Sequence, residues 1–297
     1  MAVHPRETPV VFCSGEDELY GILTSPMTPP RGITVVHVNG KGPTASTVGR
    51  GRISVLLTRA FAARGFHGFR LDWRGSGEST GLEREWTLTD LPSAELVDAA
   101  GWLDGNGLGN LVLVGTCGGA RAVLQAATTT DVRGVGLLNM PVRDYDKDKR
   151  FESLPLSQVA RRLARRQTLQ DLRDPGRRAR YVSRARRKAK FLFRGKGGGG
   201  PAEYELAGPG LVRALENLVA RKVPVLVFYG EGDDDYRDWV AAAAGPLRAL
   251  LDTGAITVEV IPGRYYDRSS RVLNDELVEA IETHLVGVAD GSPPPTA

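Results

Sequence analysis

The first apolar stretches of the chain recur with the period of strands. Residues 9–14 and 19–24 flank Gly15-Glu16-Asp17-Glu18, a turn sequence, and predict a β-hairpin. Three prolines, Pro26, Pro29 and Pro30, end it. Residues 33–38 form an unbroken run rich in β-branched side chains, the composition of a strand buried on both faces. The spacing then changes. Ile53, Leu56, Leu57, Ala60 and Phe61 predict a helix over 53–64, and Gly65 closes it as a C-terminal cap. Further strands are predicted at 66–72, 111–114, 132–138, 223–229 and 256–261. Helices are predicted at 90–103, with Leu91, Ala94, Leu96 and Val97 as its apolar face, and at 120–128, 211–219, 239–251 and 275–286. Strand and helix alternate, so the strands are joined by crossovers. The expected architecture is α/β, a mostly parallel sheet with helices on both faces.

The alternation breaks at residue 143 and resumes after residue 200, so a body at 1–142 and 201–288 carries an insert at 143–200. Within the insert, Leu156, Val159, Ala160 and Leu163 share one helical face, and Arg161, Arg162, Arg165 and Arg166 the other. A second basic helix is predicted over 177–193. The Gly197–Gly200 run with Pro201 reads as a hinge. Residues 289–297 are a Pro/Ser/Gly tail, expected to be disordered.

Charge separates these parts more sharply than hydropathy does. The chain is +4 overall, but residues 143–196 hold 19 Lys/Arg against 6 Asp/Glu, a net +13. The rest holds 20 against 29, a net −9. A basic insert interrupts an acidic body. The 297 residues are 41% hydrophobic and 25% charged, with mean hydropathy −0.21, the balance of a soluble globular protein. No eighteen-residue apolar run and no apolar stretch behind a basic N-terminus occur, so neither a spanning helix nor a secretory signal is expected. Two distant cysteines, Cys13 and Cys117, exclude a disulfide scaffold. Four histidines, scattered singly, offer no metal cluster. The expectation is a cytoplasmic chain without metal or cofactor.

The chemistry concentrates at Gly115-Thr116-Cys117-Gly118-Gly119, between a predicted strand and a predicted helix. This is Gly-x-Cys-x-Gly, the nucleophile elbow with cysteine in the serine place. The glycines suit a strained turn in which strand and helix backbones pass closely. A thiol there sits at a helix N-terminus, where dipole and free N–H groups favour the thiolate. The alternative is a strand-to-helix turn with an inert small cysteine.

In this light the chain resembles the α/β-hydrolase superfamily over most of residues 7–142 and 205–286. Asp72-Trp73-Arg74-Gly75-Ser76-Gly77-Glu78-Ser79 resembles the family's Asp-x-Arg-Gly-x-Gly-x-Ser loop, and Asn39-Gly40 stands where many members have His-Gly. The insert falls after the sixth strand, where the family places its helical cap. The Cys elbow with the Asn39-Gly40-Lys41-Gly42 loop further resembles exosortase-A-system-associated hydrolases. The resemblance implies Cys117 as nucleophile and the Gly118 N–H as one oxyanion donor. It places the second donor on the loop after the third strand, at Lys41 or Gly40 beside Asn39. It implies an acid at Asp233, with Asp234 and Asp235 as neighbouring choices; the acidic run reads equally as a solvated loop. The family's histidine position, just past Pro262-Gly263, holds Tyr265 or Tyr266 instead. His4, His37, His67 and His284 all fall elsewhere in the order; His37, two residues before Asn39-Gly40, reads either as approaching the site from below or, preferably, as a buried core histidine.

A cysteine tolerates that loss better than a serine, because a thiol is partly ionised at neutral pH. Acyl transfer from an ester or thioester through Cys117 is therefore expected, with hydrolysis of the acyl-enzyme slowed. The other class is a non-hydrolytic cyclase, lyase or binding protein on the same fold. The basic insert reads as a solvated surface, as a dock for a carrier-protein- or coenzyme-A-bound acyl group, or as an anionic-membrane contact. Nucleic acid ranks below these, since the run has few aromatics and no known binding module.

Overall fold

The computed structural model describes residues 5–40, 47–82, 87–88, 90–144, 205–267 and 270–286. The predicted insert helices, the predicted tail, His4 and Lys41 lie outside the described residues, as does the side chain of Tyr266.

The predicted hairpin is β1 (Glu7–Ser14) and β2 (Asp17–Thr24), antiparallel with Phe12 opposite Leu19. Six strands follow: β3 (Thr34–Val38), β4 (His67–Leu71), β5 (Leu111–Thr116), β6 (Gly134–Leu138), β7 (Val225–Gly230) and β8 (Ile256–Ile261). They join the hairpin in one sheet of order β1-β2-β4-β3-β5-β6-β7-β8, parallel from β4 onward. The helices are α1 (Ile53–Ala63), α2 (Ser93–Gly105), α3 (Gly118–Ala127), α4 (Pro209–Ala220), α5 (Asp234–Ala243), α6 (Arg248–Leu251) and α7 (Ser270–Ile281). Successive side chains of a strand face opposite ways. On β5, Leu111 and Leu113 therefore join the core under α2, α3 and α4, while Val112 and Val114 join the core under α1 and α7. Gly134 and Gly136 leave room on that second face for Leu285, whose Cβ lies 3.1 Å from where a Gly134 side chain would begin.

Three predicted helices are corrected. The single helix over 239–251 is two, α5 and α6, because Pro246 lacks an N–H and its ring clashes with a preceding turn. α5 also starts earlier, with Asp234 and Asp235 in the first turn, where the helix dipole favours negative charge. α2 starts at Ser93, since Pro92 disfavours helical geometry at Leu91. The predicted face of α1 is rotated: Ser54 and Thr58 are buried beside Leu57 and Phe61. Apolar periodicity scores such residues as outward, but here each hydroxyl is hydrogen-bonded inside.

The body comprises Met1–Arg143 and Leu206–Ala297, and Asp144–Glu205 forms a unit of its own. Arg143 and Leu206 form an antiparallel bridge. The Ala207 N–H donates to Val142 O at 3.2 Å, so the chain leaves and re-enters the body side by side. Among the described residues no helix is long and apolar enough to cross a membrane.

A charged cluster ties the hairpin to the parallel sheet. Arg70 of β4, 4% exposed, donates to Glu7 Oε1 at 2.9 Å and to the Thr58 hydroxyl at 3.1 Å. Arg59 of α1 forks onto the same carboxylate at 3.1 and 2.5 Å. Burial alone would raise the Glu7 pKa, but the hydrogen bonds from Arg59 and Arg70 outweigh it and hold the carboxyl below its ordinary value. Removing one partner strands a buried guanidinium, so Glu7→Ala is expected to lower the urea-unfolding free energy by roughly 3 kcal/mol. The depressed pKa sets the sign of the acid response. The contribution is complete above pH 4.5 and is lost as pH falls through the lower folded value, so wild type and Glu7→Ala should converge in stability on acidification.

Candidate active site

β5 ends at Thr116 and α3 begins at Gly118, so a single residue makes the turn. That residue, Cys117, has φ 56° and ψ −124°, a costly geometry for a side-chain-bearing residue. Its N–H donates to Leu138 O at 2.9 Å, and its carbonyl accepts from the Ala120 N–H at 3.0 Å. The flanking glycines are steric requirements. A Cβ at Gly115 would collide with the Gly119 carbonyl and lie 2.6 Å from the Ala120 Cα. A Cβ at Gly119 would lie 2.6 Å from Asn39 O. Strand, helix and the loop after β3 thus converge on one point.

Gly40 completes that point. A side chain there would begin 3.1 Å from the Gly118 nitrogen and 3.3 Å from the Cys117 Cβ. As a first-turn residue of α3, Gly118 has an N–H with no partner inside the helix. The partly exposed Cys117, the Gly118 N–H and the backbone of Gly40 therefore meet closely at the C-terminal edge of the sheet. Lys41, the other expected donor, lies outside the described residues.

Asn39 is 5% exposed, and its amide donates inward to the Ser54 hydroxyl at 2.6 Å. Its carbonyl accepts from the Trp73 indole at 2.8 Å. The Asp72 carboxylate accepts from the N–H of Thr47, where the described chain resumes, and from Glu78 N–H at 3.2 Å. The Asp-x-Arg-Gly-x-Gly-x-Ser stretch is thus a bracket that holds both ends of the loop after β3. Burial raises the Asp72 pKa against the pull of those N–H groups.

Asp233 follows β7 and is 8% exposed. Its Oδ2 accepts from the Tyr265 N–H at 3.0 Å and from the Gly230 N–H at 3.3 Å. The carboxylate grips the backbone of the β8 loop at the point where the family places histidine. Asp234 is exposed and pairs with Arg237 at 3.3 Å, while Asp235 is half-buried. The Tyr265 ring is buried, edge-on to Phe228 with centroids 6.3 Å apart. Its hydroxyl lies beside the Thr116 side chain, with Cys117 and Asp233 as electrostatic neighbours, and burial pushes its pKa well up. It is a neutral phenol at any working pH.

The described histidines stand at three separate places in the fold. His37 is fully buried, with Nδ1 3.0 Å from the Ser54 hydroxyl and Nε2 3.1 Å from the Thr116 hydroxyl. Desolvation lowers its pKa to about 3, so it is neutral and not poised as a base near pH 7. His67 starts β4, at the opposite end of the sheet from the elbow, and His284 pairs with Glu259 at 2.9 Å. Three residues at the site carry no role that the sequence motifs specify: Ser54, and Thr116 and Trp73 at variable positions of those motifs. A serine in the first turn of a helix and a threonine closing a strand look ordinary until the fold brings both to His37.

Comparison with known proteins agrees with this fold. Among solved structures, a proline iminopeptidase of Mycobacterium smegmatis superposes with TM-score 0.58 at 15% identity, covering 95% of this chain and 100% of that one. An esterase of Pyrococcus furiosus gives 0.58 at 13% identity, covering 95% and 93%. A thioesterase domain from the curacin biosynthetic pathway gives 0.54 at 17% identity, covering 94% and 100%. At such identities the likeness is one of fold. No curated protein matches the chain. The sequence profile of the alpha/beta hydrolase family matches residues 35–264, well over half of the 297, and the chain belongs to that family.

Proposed function

We propose that this hydrolase-family protein transfers acyl groups through Cys117. The observation that carries the reading is the elbow: a cysteine at φ 56° followed by the Gly118 N–H, with the backbone of Gly40 packed closely against both. Cys117 Sγ, as thiolate, bonds to the carbonyl carbon of an ester or thioester. The carbonyl oxygen gains negative charge and is met by the Gly118 N–H and a donor from the Gly40–Lys41 loop. Collapse breaks the bond to the leaving group, which departs with its electron pair, and the proton shed by the thiol protonates it through solvent. A thioester suits the site best. Its leaving thiolate departs without the general acid that an alkoxide demands, and the described histidines supply none.

Release of the acyl group to water needs a base, typically worth 10²–10⁴-fold. With His37 neutral and sealed, an amine or thiol acceptor competes well with water, so transfer is favoured over hydrolysis. The insert supports a phosphate-bearing donor, since its net +13 matches a coenzyme A tail or an acidic carrier protein. These assignments agree with the closer resemblance to exosortase-A-system-associated hydrolases. The composition agrees with a cytoplasmic setting.

Incubation with acetyl-coenzyme A or p-nitrophenyl acetate, followed by mass spectrometry, is expected to show one acyl group on Cys117, absent in Cys117→Ala. Labelling that persists in Cys117→Ala, or a wild-type protein that turns over without ever acquiring the acyl group, would sink covalent catalysis. Gly40→Ala is expected to fold yet slow acylation by about 10²-fold, the loss typical for one oxyanion donor, because its methyl would begin 3.1 Å from the Gly118 nitrogen. Stopped-flow release of p-nitrophenolate measures this directly.

A further inference from the structure

A run of buried polar groups lies under the elbow and takes no part in the chemistry above. The Asn39 amide donates to Ser54 Oγ at 2.6 Å. Ser54 Oγ is 3.0 Å from His37 Nδ1, and His37 Nε2 is 3.1 Å from Thr116 Oγ1. All four residues are at most 5% exposed. One end of the run is the residue before Gly40, and the other is the residue before Cys117. The run therefore joins the two backbones that line the oxyanion cleft.

A neutral imidazole has one N–H and one bare nitrogen. With the proton on Nε2 every link runs one way. Asn39 donates to Ser54, Ser54 to Nδ1, and Nε2–H to Thr116. Each hydroxyl then accepts one hydrogen bond and keeps its own proton to pass on, which is the arrangement that buried groups require. Gly49 closes over the Asn39–Ser54 pair. A Cβ there would begin 2.7 Å from Ser54 Oγ and 2.8 Å from Asn39 Oδ1, and φ is +69°. The second hold on Asn39 is the Trp73 indole on its carbonyl. Asn39 is thus clamped at side chain and main chain, while Gly119 packs against its backbone from the elbow side.

We propose that His37 is a positioning residue: as a rigid strut between Ser54 and Thr116, it sets the gap between the Asn39–Gly40 loop and the Gly118 N–H. It touches no substrate. Its effect falls on the geometry of the oxyanion cleft, where a displacement of about 1 Å can cost 100-fold in rate. The proposal rests on acyl transfer through Cys117, and it makes a demand of its own on the loop.

The test uses the full chain with His37→Leu, His37→Gln and Ser54→Ala. Ser54→Ala removes one hydroxyl and serves if His37→Leu fails to fold. Two reactions of the same thiol are compared: acylation by p-nitrophenyl acetate, which builds an oxyanion, and alkylation by iodoacetamide, which does not. His37→Leu and Ser54→Ala should slow acylation roughly 10- to 100-fold at saturating ester, with KM within about threefold. Alkylation should stay within about threefold of wild type, since the thiol itself is untouched. His37→Gln, whose amide nitrogen can reach Thr116 as Nε2 does, should recover part of the loss. Hydrogen exchange at the Asn39 and Gly40 amides should quicken about tenfold or more in Ser54→Ala as local opening becomes easier. Equal falls in acylation and alkylation overturn the proposal, and so does unchanged exchange at Asn39 and Gly40. A wild-type thiol that is alkylated but never acylated instead overturns the acyl-transfer reading, and the exchange result then judges the strut alone.

Discussion

The structure depends on one close approach, that of the Asn39 backbone to Gly119. Three backbones meet there: the end of β3, the turn at Cys117 and the first turn of α3. The contact admits no Cβ on either α3's second residue or on Gly115 opposite, so the elbow is specified by what glycine lacks. The strained φ at Cys117 persists because the surrounding hydrogen bonds and packing leave it no alternative. The thiol is presented at the sheet edge as a result, and every other feature of the cleft is arranged around that fixed point.

Below that point the two faces of the sheet are unequal. One side carries an apolar core under α2, α3 and α4. The other carries, beneath the elbow, Ser54, His37, Thr116 and the Tyr265 phenol within an otherwise apolar core. Leaving such groups unmade costs more than making them gains, so each member constrains the next. Asp233 is bound into the same arrangement through its grip on the Tyr265 N–H. Its carboxylate holds two backbone N–H groups, those of Tyr265 and Gly230.

Much of the architecture was legible along the chain because the signals are local. The central strands β5, β6 and β7 are near-continuous apolar runs, as double burial requires, and the hairpin carries turn chemistry at Gly15. Helix ends were misplaced where proline intervened, at Pro92 and Pro246, and the buried face of α1 was misjudged because Ser54 and Thr58 point inward. The Cys117 elbow could be read from glycine spacing, whereas Asp233 is implied only by the family resemblance, with Asp234 and Asp235 beside it. The partners of those residues could not, since Ser54, His37, Asn39 and Thr116 come from α1, β3, the loop after β3 and β5.

By itself the sequence determined the alternation of strands and helices, the glycine-flanked strand-to-helix turn bearing a thiol, and the separation of a −9 body from a +13 insert. These follow from periodicity, from glycine and from charge, all of which are carried by neighbouring residues. Only the tertiary structure decided that Asn39 turns inward, that Asp233 binds the Tyr265 backbone, and that His37 is neutral between two hydroxyls. Hydrogen bonding across elements and the loss of water around a side chain depend on which distant residues meet, and that is settled when the sheet closes over its helices.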